Sequence, residues 1–151
     1  MRKIGLRNIK TAISVFICIT IFSLLNRQDP FFACIATVIC MKESVYNSYI
    51  IGKYRMIGTI FGGVLGFLLI SIFSNNAIVA ALGISLIIYL CNSFGKQDSI
   101  VISCVVFLAV MTNLKGVESY IYAMDRIIDT FIGIIIAILV NRALGPNETS
   151  D

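Results

Sequence analysis

The chain has 151 residues, is 58% hydrophobic and 13% charged, and has a mean hydropathy of +0.95 and a formal charge of +4, with no His or Trp. A water-soluble domain is ordinarily about a quarter charged, so this composition points into lipid, and with the length taken up by membrane spans no cytosolic catalytic domain is expected. The basic residues are spread along the chain rather than clustered, which fits the topology of membrane spans and argues against nucleic acid as a partner.

A membrane-crossing helix needs about 20 residues, with a lower limit of about 17. Six spans with short connections would therefore use nearly the whole chain. The first apolar run, 9–25, follows Arg2, Lys3, Arg7 and Lys10, and residues 1–8 form an N-terminal segment before it. A basic lead also introduces signal peptides, but no small-residue cleavage site follows, so the run is expected to be a retained helix. The second run, 31–41, is short, and its pattern allows an extension through 42–49, where Val45 and Tyr49 continue one helical face. Lys42 and Glu43 would then lie near the interface or against protein. Spans three to six are expected at 56–73, 77–92, 100–114 and 120–140. The β-branched start of the fifth does not argue for a strand, because open sheet edges cannot be satisfied in lipid.

Cys18, Cys34, Cys40, Cys91 and Cys104 lie inside or at the edge of apolar runs, with no Cys-x-x-Cys pair. They fit small packing residues rather than a disulfide framework or a metal site. Arg2, Lys3, Arg7, Lys10, Lys42, Lys53, Arg55, Lys96 and Arg142 fall on one side of a six-span topology, against Arg27, Lys115 and Arg126 on the other. The positive-inside rule then puts both termini in the cytoplasm. The polar tail 142–151 contains a Gly-Pro breaker and an Asn147-Glu148-Thr149 sequon, which carries no meaning on a cytoplasmic tail.

The sequence repeats itself. RMIGTIFGGVLG begins at Arg55 and RIIDTFIGIIIA at Arg126, while RQDPFFACIATVICM begins at Arg27 and KQDSIVISCVVFLAVM at Lys96. Gln28/Gln97, Cys34/Cys104, Met41/Met111, Arg55/Arg126, Thr59/Thr130 and Gly62/Gly133 all correspond at nearly constant offset. The expected architecture is all-α: a polytopic protein of six transmembrane helices in two inverted three-helix repeats, 9–73 and 77–141. An odd number of spans per repeat forces the second to enter the membrane in the opposite direction, as in many secondary transporters. Arg55 would then lie near the cytoplasmic end of span three and Arg126 near the outer end of span six, at opposite mouths of an anion path.

Polar residues inside the spans supply candidate sites. Gly58, Gly62 and Gly66 make overlapping small-xxx-small patterns, with Gly133 a weaker counterpart; they read as helix packing, with a hinge as the alternative. Asp129 lies deep in span six, where a lipid-exposed carboxylate is very costly. Arg126, one turn earlier, can approach it, with Asp125 as a competing partner for that arginine. The pair could fix helix packing or line a solute path in which Arg126 attracts a carboxylate and Asp129 takes a proton or releases Arg126. Arg55 is either a second path cation or a snorkelling residue. Thr59 and Thr130 could donate to a solute or bond the preceding helical turn. Asn92, Thr112 and Asn113 add polar ends, and Tyr46, Tyr49 and Tyr54 fit interface aromatics. No metal ligand set, Walker lysine, nucleophile elbow or acid–base pair is present, so neither an enzyme nor a cofactor is expected.

KIGLRNIKTAISVFICITIF, RQDPFFACIATVICM, GKYRMIGTIFGGVLG and RIIDTFIGIIIAILVNR together resemble the bacterial aromatic acid exporter family, within the wider fusaric acid resistance protein-like group, over residues 3–142. The resemblance implies a six-span module of the bacterial inner membrane that exports small organic anions, above all aromatic carboxylates. It carries that family's Arg-x-x-Gly-Thr-x-x-Gly element onto Arg55, Gly58, Thr59, Gly62 and Gly66, and its counterpart onto Arg126, Asp129, Thr130 and Gly133. Many relatives continue into a soluble domain, which this chain is expected to lack or to receive from a separate cytoplasmic subunit. A homodimer in the lipid bilayer is the expected assembly. Coupling to an ion or proton gradient leads the functional readings. A passive organic-anion channel and a non-transporting membrane scaffold are the alternatives.

Overall fold

A computed structural model describes residues 6–27, 29–73, 76–112 and 118–144. The expectations at Arg2, Lys3, Gln28, Asn113, Lys115 and the 147–149 sequon lie outside them. The described residues form six α-helices: α1 (Leu6–Leu24), α2 (Phe31–Cys40), α3 (Val45–Phe73), α4 (Ala77–Ser93), α5 (Ile100–Thr112) and α6 (Ser119–Ala143). A 3-10 turn, Gln97–Ser99, leads into α5. The fold is all-α among the described residues. By length and composition α1 and α3 can cross a membrane, while α2, α4 and the turn with α5 are shorter apolar helices. The long α6 carries Arg126, Asp129 and either Asp125 or Arg142 in any 18-residue window.

One expectation is corrected. The second apolar run does not continue through 42–49; α2 stops at Cys40, and residues 45–54 open α3 instead. Met41 is extended (φ −72°, ψ 103°), which ends the helix. The backbone groups freed at the break are met by side chains. The Lys42 N–H donates to Ser48 Oγ (3.1 Å), and Asn141 Nδ2 donates to the Lys42 carbonyl (3.0 Å). In an apolar surrounding such a break persists only when its polar groups are satisfied this way. Arg55 therefore lies not at a helix end but about three turns into α3, and it is buried.

The chain divides into two compact units, Met1–Lys53 with Asp129–Asp151, and Tyr54–Ile128. In the first, α1 packs on α2. The buried stripe of α1 is Lys10, Ser14, Cys18 and Phe22, and that of α2 is Ala33, Ala36, Thr37 and Cys40, each at helical spacing. In the second, α4 packs on α5, with Ile87, Cys91, Phe107 and Met111 at the core and Leu65, Leu69 and Ile84 against it.

Alongside the apolar core, several polar and charged side chains are buried and many large apolar ones are exposed. Lys10, Ser14, Thr37, Ser48, Arg55, Thr59, Arg126, Asp129 and Asn141 are buried, while Phe16, Leu24, Val101 and Leu139 are among many large apolar side chains left exposed. Water would penalise that surface. Lipid does not, and it is the charged groups that must turn inward.

Candidate functional site

The helix ends that follow α1 and α4 place the first charged residues. After α1, Asn26 takes a left-handed conformation (φ 52°), the Arg27 N–H bonds the Phe22 carbonyl (3.0 Å) and the Asn26 N–H bonds that of Ser23 (3.2 Å). After α4, Gly95 is left-handed (φ 63°), Lys96 bonds Cys91 (2.8 Å) and Gly95 bonds Asn92 (3.1 Å). Both are Schellman motifs. Each hands the chain to a basic residue just past its left-handed position.

In the first unit that basic residue finds a carboxylate. Arg27 Nη1 lies 3.3 Å from Asp129 Oδ1; the arginine side chain is 29% exposed and the aspartate 3%. The guanidinium also sits 5.9 Å from the Phe22 ring centroid, a cation–π distance. Four residues beyond Asp129, α6 presses Gly133 against α2. A Cβ there would meet the Ala33 carbonyl oxygen, with Ala36 Cβ at 2.8 Å. Thr37 Oγ1 donates to both the Ala33 carbonyl (2.9 Å) and the Gly133 carbonyl (3.0 Å), so one hydroxyl joins the two helices where they nearly touch.

The second unit repeats that crossing with α3 and α5. A Cβ on Gly62 would meet the Ser103 carbonyl oxygen, one on Gly58 would lie 2.8 Å from the Ser99 carbonyl, and one on Gly66 3.0 Å from Val110 Cβ. The glycine stripe is therefore a packing face against this chain's own α5. Thr59 Oγ1 donates to the Arg55 carbonyl (2.9 Å), bonding the preceding turn. Arg55 is 5% exposed and Arg126 2%, and the Arg126 guanidinium stacks 4.8 Å from the centroid of the Tyr122 ring. Thr130, in the first unit with Asp129, is buried beside it in sequence.

Arg55, Thr59, Arg126, Asp129 and Thr130 are thus buried, and Gly58, Gly62, Gly66 and Gly133 lie at helix contacts, whereas Asn92 and Thr112 are exposed. Asp129 acquires Arg27 as an ion partner, which the sequence reading treated only as a charge in a connection; nothing local in RQDP points to a partner so distant in the chain. A second cluster was also missed. Lys10 Nζ donates to Asn141 Oδ1 (3.1 Å), and Asn141 Nδ2 donates to Ser48 Oγ (2.9 Å), all three side chains being buried. The signal available was a lysine within an otherwise apolar run. Among the described residues no three His, Cys, Asp or Glu gather as a metal site.

All-helical in its described residues, with two helices of membrane length and with Lys10, Arg55, Arg126 and Asp129 buried, the chain has membrane-spanning character. The model of the family described as "Aromatic acid exporter family member 1" matches residues 2–144, and the chain belongs to that family. It is similar to the UPF0421 protein YgaE of Bacillus subtilis, 24% identical over 144 residues, covering 95% of this chain and 40% of the relative. It is also similar to the UPF0421 protein OB2406 of Oceanobacillus iheyensis, 27% identical over 148 residues, covering 96% and 41%. The chain thus spans about two-fifths of the length of these curated relatives. No solved structure matches it.

Proposed function

We propose that this chain is an inner-membrane module that exports small organic anions, aromatic carboxylates foremost, coupled to a proton or ion gradient. The reading takes 9–73 and 77–141 as inverted three-span repeats, both termini as cytoplasmic, and a homodimer as the working assembly. The observation that carries it is the burial of Arg55 and Arg126 at matching positions of the repeated segment, with Asp129 ion-paired in an apolar helix. Buried arginines recognise carboxylates through planar, bidentate hydrogen bonds. Ionisable groups kept inside apolar helices, at a cost of a few kcal/mol or more each, are characteristic of solute and proton pathways.

In this mechanism an entering carboxylate exchanges for existing contacts of Arg126 or Arg55. The Arg27–Asp129 pair then provides the coupling step. Protonation of Asp129 removes its charge, releases Arg27 and lets the surrounding helices rearrange; deprotonation restores the pair.

The test is efflux of a panel of aromatic and aliphatic carboxylates from proteoliposomes, with and without an imposed pH gradient. Gradient-driven flux is expected in the wild type and is expected to fall at least about ten-fold in R126Q, with folding checked by gel filtration. Asp129→Asn is expected to lose gradient-driven flux while keeping downhill flux. Saturable flux indifferent to the gradient in the wild type would replace the exporter with a channel. Silence from folded protein would favour a scaffold that acts with a partner.

A further inference from the structure

Within the first unit, α1 and α2 leave an open cleft of about 940 Å3. Its lining changes character from one end to the other. Arg7, Asn8 and Thr11 of α1 and Lys42, just past α2, form a polar, basic end, while Ala12, Val15, Phe16, Ile19, Val38 and Ile39 form an apolar trough. At 1.5 Å per residue, the α1 wall from Thr11 to Ile19 runs about 12 Å, the length of a substantial stretch of acyl chain. We propose that this cleft binds one anionic phospholipid, its phosphate at Arg7 and Lys42 and an acyl chain in the trough.

Charge and shape both select that occupant. Two cations meet at one end only, so the ligand must be an anion with an apolar tail lying along the helices, the orientation of a lipid in a bilayer. A single-ring carboxylate would satisfy the basic end and leave most of the trough empty. A second protein helix would fill the trough but supplies no phosphate. Glu43 approaches Arg7 at 3.9 Å, but both side chains are well exposed, 58% and 86%. A solvent-screened pair of that kind is weak, so a headgroup phosphate can take its place. Basic recesses between membrane helices hold lipid headgroups by this chemistry. The inference does not depend on the export reading, since a scaffold could hold the same lipid.

The experiment is native mass spectrometry of the purified full chain in neutral detergent, titrated with phosphatidylglycerol and phosphatidylcholine of identical acyl chains. One phosphatidylglycerol per chain is expected to survive activation, and phosphatidylcholine to bind at least about ten-fold more weakly. R7Q/K42Q is expected to weaken phosphatidylglycerol roughly twenty-five-fold, about five-fold for each basic side chain, while K96Q, at a basic residue that does not line the cleft, leaves it unchanged. A12W, which keeps both charges and changes an exposed position, is expected to block the trough and weaken binding without altering the far-ultraviolet helical signal. Equal retention of the two lipids, or wild-type retention in both R7Q/K42Q and A12W, would overturn the proposal. So would displacement by millimolar glycerol phosphate, which marks a site for free phosphate, or by benzoate, which marks a solute site. A change of oligomeric mass in A12W would identify a second copy of the chain as the occupant instead.

Discussion

The turn after α1 and the turn after α4 are built alike, yet the third helix beside each meets it in a different way. Phe22, Asn26 and Arg27 correspond to Cys91, Gly95 and Lys96, and both sets close the same Schellman hydrogen bonds. Beside the first turn stands Asp129, which pairs with Arg27. The residue matching Asp129 at the same offset as Arg55/Arg126 is Gly58, and a Cβ there would lie 2.8 Å from the carbonyl oxygen of Ser99, just past the second turn. Ser99 Oγ in turn donates to the Tyr54 carbonyl (2.8 Å). One unit thus closes with an ion pair and the other with backbone against backbone. The two turns share their backbone form, while the position of Asp129 beside the first is taken by Gly58 beside the second.

The most damaging way to break the comparison is to attack what the units share. Gly62→Leu and Gly133→Leu each drive a side chain into a neighbouring backbone carbonyl, of Ser103 and Ala33 respectively. Backbone cannot swing aside as a flexible side chain does, so each variant is expected to lose more than about 3 kcal/mol and fail to give a monodisperse gel-filtration peak. Gly63→Ala is the control. Its Cβ would lie 3.7 Å from Ala123 Cβ, an ordinary contact, and the protein should keep its melting temperature within a few degrees. Equal tolerance of all three substitutions would show that the two crossings do not hold the fold.

Where the units differ, the expected effect is smaller. Asp129→Asn leaves the Arg27 guanidinium without its carboxylate, but Arg27 is partly exposed and can recover some hydration. A loss of about 2 kcal/mol is expected, as for a hydrogen-bonded charged group. In a double-mutant cycle with Arg27→Gln the coupling energy should exceed about 1 kcal/mol, read from denaturant or thermal unfolding in detergent. Additivity would mean that the pair contributes nothing to closure of the first unit.

The helices themselves were legible because apolar runs bounded by Gly, Pro and charge leave few alternatives in a chain of this composition. The expected start of α4 at Ala77 and end of α3 at Phe73 coincide with the structure. The start of α3 was misplaced because the Val45/Tyr49 spacing joined 42–49 to the preceding run, whereas Met41 is extended and the backbone at the break is met by Ser48 and by Asn141, which reaches back from the far end of the chain. The glycine stripe was visible, but which helix it meets was not, since spacing fixes a face and not its neighbour. For the same reason Asp129 could be singled out as a buried acid while its bond to Arg27 could not.

The smallest expected effect sharpens the comparison at the turns. Position 26 holds a non-glycine residue at φ 52°, whereas its counterpart is Gly95 at φ 63°. Asparagine tolerates the left-handed region better than most side chains but less well than glycine. Asn26→Gly is therefore expected to raise stability by a few tenths of a kcal/mol. Gly95→Ala should lower it by about 1 kcal/mol, the cost of a Cβ in that conformation. No heavy atom lies within 4 Å of where that Cβ would stand, so the loss, read as a drop of a few degrees in melting temperature, reports backbone strain alone. If Gly95→Ala cost nothing, the turn after α4 would have relaxed out of its left-handed form, and Lys96 would no longer be held as Arg27 is.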